Sequence, residues 1–120
     1  YPQFKTEKMK KEITHDEAIA LVTSRLQKEG YTVFSNPSSQ KENRIGDCYP
    51  DVIACNFKNE VKLIVEVETT ESVNSKETDQ WKDYDKLGIP FALCVPKEMA
   101  DKAKRFCRES NINLFRLFYY

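Results

Sequence analysis

Pro50-Asp51-Val52-Ile53-Ala54-Cys55 and Leu63-Ile64-Val65-Glu66-Val67-Glu68 are the two stretches that decide the fold. Both are short, apolar and rich in β-branched residues, the composition of buried strands. Lys58-Asn59-Glu60 lies between them and suits a hairpin turn, which predicts strands at about 51–57 and 61–69. Side chains alternate along a strand, so Glu66 and Glu68 leave the same face. Pairing of the two strands brings Asp51 to those acids at one end of a sheet. Carboxylates beside buried apolar strands are costly unless they are paired or metal-bound. Three of them converging therefore points to a site for a hard divalent cation, Mg2+ or Mn2+.

Working outward, Thr14-His15-Asp16-Glu17 matches a capping box. It opens a helix running to about Glu29, with Ala18, Ile19, Val22 and Leu26 as its buried stripe and Gly30 as its stop. Residues 31–34 read as a strand, and 35–49 as a polar, turn-rich loop with room for a short strand. Asn74 and Glu77 open a second helix to about Leu87, ended by Gly88 and Pro90. Phe91 to Val95 reads as a fully buried strand, and Pro96 as the first turn of a third helix. Met99, Ala100, Ala103, Phe106 and Cys107 give that helix its apolar face. Leu114 to Tyr120 is a last strand. The order is α-β-β-β-α-β-α-β, an α/β fold with a mixed β-sheet flanked by helices. The early strands suit an antiparallel meander, and the strand–helix–strand passage over 61–95 predicts a parallel crossover.

The length suits one domain, residues 14–120, preceded by a polar, basic arm over 1–13. No apolar run is long enough to span a bilayer, so no membrane partner is expected. Nineteen basic residues balance nineteen acidic ones, which argues against a tight, sequence-blind nucleic-acid binder but allows an acidic metal site offset by a basic rim. Basic clusters for such a rim are Lys5, Lys8, Lys10 and Lys11; Lys41 and Arg44; and Lys102, Lys104, Arg105 and Arg108. Each also reads as an ordinary solvated face. The four cysteines have no zinc-ribbon or CxxC spacing. Cys55, Cys94 and Cys107 read as small buried hydrophobes of a reducing compartment, the cytoplasm, and Cys48 as a loop residue.

Three motifs in this order carry a family resemblance: Pro50-Asp51, then Glu66-Val67-Glu68, then Gln80-Trp81-Lys82-Asp83-Tyr84. Over about residues 14–96 the chain resembles the PD-(D/E)XK nuclease superfamily, which includes restriction endonucleases, archaeal Holliday junction resolvases and RecB-type exonucleases. The last motif is similar to the Q-x-x-x-Y helix of RecB-like members. The resemblance implies a restriction endonuclease-like fold and metal-dependent hydrolysis of phosphodiester bonds in DNA. It implies that Asp51 and Glu66 ligate the metal together with the backbone carbonyl of Val67. Settings open to such an enzyme include DNA repair, viral replication, junction resolution and host defence.

The chain departs from the family at Glu68, where lysine is usual. A glutamate there suits a general base or a second-metal ligand. It equally suits a catalytically inactive nuclease-fold module that binds nucleic acid or a protein. In other members the lysine migrates to the following helix. Lys76, Gln80 and Tyr84 are spaced four apart and share a helical face, so Lys76 is the candidate substitute. Each has a plainer role too, Lys76 as a solvated first-turn residue, Gln80 and Tyr84 as part of a packing face with Trp81 and Leu87. Glu17 matches the first-helix glutamate of resolvase-like members, and it also completes the capping box. His15 reads as a proton shuttle or as an exposed first-turn residue. The run Phe115, Leu117, Phe118, Tyr119, Tyr120 is either an ordinary core strand or an edge at which a homodimer forms.

Overall fold

In the computed structural model, which describes residues 12–120, helix α1 spans His15–Lys28. Its start is built as the sequence requires. The Glu17 N–H donates to Thr14 Oγ1 at 3.1 Å, and the Thr14 N–H donates to Glu17 Oε1 at 3.1 Å. Asp16 and Glu17 in the first turn and Arg25 and Lys28 in the last complement the helix dipole. Gly30, at φ 101°, then turns the chain out of the helix. Most of the predicted basic arm, including Lys5, Lys8, Lys10 and Lys11, lies outside the described residues.

Five strands follow: β1 (Thr32–Ser35), β2 (Val52–Cys55), β3 (Val61–Val67), β4 (Phe91–Val95) and β5 (Leu114–Tyr119). Helix α2 (Ser75–Asp85) links β3 to β4, and α3 (Ala100–Glu109) links β4 to β5. The sheet runs β1-β2-β3-β4-β5. β1 to β3 form an antiparallel meander, while β3-β4 and β4-β5 are parallel. The result is an α/β fold with a mixed five-stranded sheet and three helices.

Alternation along the strands divides the core in two. Val52, Ala54, Leu63, Val65, Val67, Ala92 and Cys94 pack against the buried stripe of α1. Ile53, Cys55, Ile64, Phe91, Leu93 and Val95 pack against Trp81 and Tyr84 of α2 and Ala103 and Cys107 of α3. Cys55, Cys94 and Cys107 are buried and Cys48 half-buried, all as free thiols.

Several boundaries differ from the sequence reading: β3 ends at Val67 rather than about 69, and α2 at Asp85 rather than about Leu87. β2 stops at Cys55 because Asn56 Oδ1 accepts the N–H groups of Lys58 and Glu60, at 2.9 and 3.0 Å. The turn therefore begins at Asn56, with Asn59 in the left-handed region at φ 62°. The third helix does not start at Pro96. A 3-10 turn occupies Lys97–Met99, and the Lys97 N–H is taken by the Tyr120 carbonyl at 2.7 Å. The loop after β1 has no strand, only a bridge between Ile45 and Cys48.

That loop is organised by Asn36, which is fully buried. Its Oδ1 accepts the N–H groups of Glu42 and Asn43, and its Nδ2 donates to the carbonyls of Asn43 and Pro50. Its own N–H donates to the Asp51 carbonyl at 2.9 Å. One side chain thus fixes both ends of the loop and sets the backbone at Pro50-Asp51.

Candidate functional site

The β2–β3 register pairs Val52 with Val65, which sets Asp51 beside Glu66. The two residues clasp each other's strands. The Asp51 N–H donates to Glu66 Oε1 at 3.0 Å, and the Val67 N–H donates to Asp51 Oδ2 at 2.8 Å. Asp51, Glu66 and Glu68 are 7%, 6% and 3% exposed. Among the described residues no lysine or arginine forms an ion pair with any of the three.

Burial, and next the charge of Asp51, push the Glu66 carboxyl well above the ordinary carboxylate range. The Tyr84 hydroxyl opposes this by hydrogen-bonding Glu66, and the same burial keeps the phenol protonated. Tyr84 Oη also lies 3.5 Å from the Tyr49 carbonyl. Glu68 is pushed up to about 7, chiefly by burial, against the stabilising bonds of Ser72 and Trp81. The Trp81 indole N–H donates to Glu68 Oε1 at 3.1 Å, and the Tyr120 hydroxyl donates to the Glu68 carbonyl at 2.7 Å.

His15 enters from the other side of the sheet. Its Nε2 lies 3.2 Å from Asp51 Oδ2, and its Nδ1 lies 3.2 Å from Asp16 Oδ1. The bond to Asp51 is the main reason its imidazole is raised to about 9, so it is an imidazolium at neutral pH and donates through both nitrogens. Ser38 fixes the far end, with its N–H and hydroxyl on Asp16 Oδ1 at 3.1 and 3.0 Å.

The structure thus brings Asp51, Glu66, the Val67 backbone, Glu68 and Tyr84 together. It does not bring Lys76 or Gln80 to them. Thr78, Trp81 and Tyr84 form the buried face of α2, and Lys76 and Gln80 are exposed, with no hydrogen bond or ion pair among the described residues. Glu17 holds the capping box at the start of α1, two residues from His15. Two contributors were misjudged from the sequence. His15 is held in the cluster rather than left exposed. Trp81 serves it with its indole as well as packing. A tryptophan on an otherwise polar helix is itself a signal, because a buried indole N–H needs an acceptor.

The donors suit Mg2+ or Mn2+ in kind: carboxylate and carbonyl oxygens. Their burial also fits, since Glu66 and Asp51 repel each other at close range. The described residues hold no ready-made group of three His, Cys, Asp or Glu ligands. Their carboxylate oxygens are instead engaged by Val67, His15, Trp81 and the Asp51 backbone.

No protein-family model, curated protein or solved structure matches this chain. No helix among the described residues is long and apolar enough to cross a membrane.

Proposed function

We propose that this domain is a metal-dependent DNA nuclease of the PD-(D/E)XK kind, with a restriction endonuclease-like fold. The observation that carries the reading is the mutual clasp of Asp51 and Glu66, two buried carboxylates on neighbouring strands that no lysine or arginine among the described residues pairs with. Asp51, Glu66 and the Val67 carbonyl would hold Mg2+ or Mn2+. The ion, when bound, supplies charge to offset that developing on the phosphate and acidifies a bound water.

The chain's own groups do the rest. His15, anchored by Asp16 and Ser38, orients Asp51 from α1. Tyr84 orients Glu66 from α2. Glu68, raised to about 7, is poised to take a proton from an attacking water near neutral pH. Lys76 and Gln80, exposed on α2, and Lys41 and Arg44, exposed on the loop that Asn36 clips shut, would contact phosphates outside the acid cluster.

A second reading, a catalytically inactive module that binds nucleic acid or a protein, is favoured by one observation. Glu68 stands where the family has a lysine, is 3% exposed and is already bonded to Trp81. The discriminating experiment is cleavage of labelled single-stranded, duplex, flapped and four-way-junction DNA with Mg2+, with Mn2+ and with chelator. Metal-dependent cutting that is lost in Asp51→Asn supports the nuclease. DNA or metal binding with no cutting on any substrate supports the inactive module.

A further inference from the structure

Among the described residues the sheet has two unpaired edges, β1 and β5, and they are built differently. β1 is four residues long. β5, Leu114-Phe115-Arg116-Leu117-Phe118-Tyr119, is six residues long and apolar but for Arg116. Edge strands are usually guarded by lysine, proline or an inward-pointing charge. Here the one charge is turned away. Arg116 Nη1 and Nη2 donate to Glu29 Oε1 and Oε2, each at 2.6 Å, and the guanidinium lies 4.3 Å from the Phe118 ring centre.

The backbone shows which groups face outward. The Tyr120 N–H donates to the Val95 carbonyl, and the Tyr120 carbonyl accepts from Lys97. Tyr120 therefore spends both groups on the β4 side, and alternation turns both groups of Leu117 and Tyr119 to the open edge. The register slips by one residue where Phe91 pairs with Leu114 and Ala92 with Arg116, so Phe115 is the extra residue. Its carbonyl faces outward. Phe115 and Tyr119 are 64% and 59% exposed.

We infer that β5 is the interface between two copies of this chain, paired antiparallel about a two-fold axis at Leu117. In that register each Leu117 exchanges N–H···O bonds with the other Leu117. Each Tyr119 N–H meets the other copy's Phe115 carbonyl. The side chains match as well: Leu117 faces Leu117, Phe115 faces Tyr119, and Arg116 falls opposite Phe118. An axis at Arg116 instead would set two guanidinium groups against each other and oppose groups already spent on β4. Backbone parity and charge thus select the same register. The two-fold reverses the direction of β3, so the acid clusters of the two copies point to opposite ends of a continuous sheet and each stands alone. This inference does not depend on the nuclease reading.

The test is the mass of the full chain in solution by sedimentation equilibrium over a wide concentration range. The wild type is expected to shift toward twice its 14.0 kDa as concentration rises. The double variant Phe115→Lys/Tyr119→Lys sets like charges opposite each other at two exposed positions and is expected to stay a single chain, with an unchanged circular dichroism spectrum. Phe115→Glu/Tyr119→Lys sets opposite charges across the antiparallel pair and is expected to dimerise again. A wild type that stays a single chain throughout overturns the inference. So does a double-lysine variant that still dimerises, or a Glu/Lys variant that does not.

Discussion

Glu29 and Glu66 are the same side chain under opposite conditions. Glu29 closes α1 at the surface and receives both arms of Arg116, which hold its carboxyl down to about 2. Glu66 is buried between strands with no arginine or lysine paired to it among the described residues, and burial with the charge of Asp51 pushes it up. Among the described residues a guanidinium ties α1 to β5, and none pairs with the two acids. The cation beside the cluster is instead His15, whose charge is lost as pH rises through about 9. A titratable partner, rather than a permanent one, beside two buried acids suits the proposed metal site better than a structural ion pair would.

The largest effect is expected from breaking the buried side. Asp51→Asn should reduce DNA cleavage by about a thousandfold or more, the order lost with a principal transition-state stabiliser. Glu29→Gln should leave cleavage unchanged, and single-turnover assays on the two variants check the contrast. Trp81→Ala, which opens a cavity and strips Glu68 of its donor, should cost about 3–5 kcal/mol in urea unfolding.

The next effect sharpens the comparison through pH. A buried acid whose folded pKa is raised favours folding while protonated and opposes it once ionised. With Glu68 at about 7 against an ordinary 4.5, stability in chelator should fall as pH rises from 4.5 through 7. Glu68→Gln should remove up to about 3 kcal/mol of that fall. A wild type whose chelator melting curve ignores pH over this window, or one matched by Glu68→Gln, would sink the account. Mn2+ should raise the wild-type melting temperature by an amount that grows with its concentration, and should not do so in Asp51→Asn.

The smallest effect belongs to the surface pair. Glu29 has a depressed pKa, so its contribution is complete above 4.5 and is lost as pH falls toward 2. Being exposed, the pair should be worth no more than about 1 kcal/mol at neutral pH. A stability difference between wild type and Glu29→Gln that persists at pH 2 would count against it.

Most of the scaffold was legible because its determinants are local. Thr14 and Glu17 sit three residues apart, Gly30 follows the last buried residue of its helix, and β2 and β3 announce themselves by β-branched runs. The meeting of Asp51 and Glu66 followed from strand pairing and alternation alone. His15 was not legible, because its partner lies 36 residues away and only packing of α1 on the sheet unites them. The face of α2 was misplaced for a related reason. A four-residue spacing groups Lys76, Gln80 and Tyr84, but burial is set by Trp81, whose bulk turns the helix so that Thr78 and Tyr84 follow it inward. The extent of the hairpin turn depended on a single amide, Asn56, whose backbone bonds no periodicity encodes.

Asn36 has one more consequence. Because its side chain grips Asn43 and Pro50 while its own N–H grips Asp51, the aim of Asp51 is set by these grips and by Ser38 on Asp16 rather than by the residues at the loop's tip. The stretch carrying Lys41 and Arg44 is in effect an interchangeable cassette. Residues can be added, removed or recharged at its tip to suit a different partner, while the acid beneath keeps its aim.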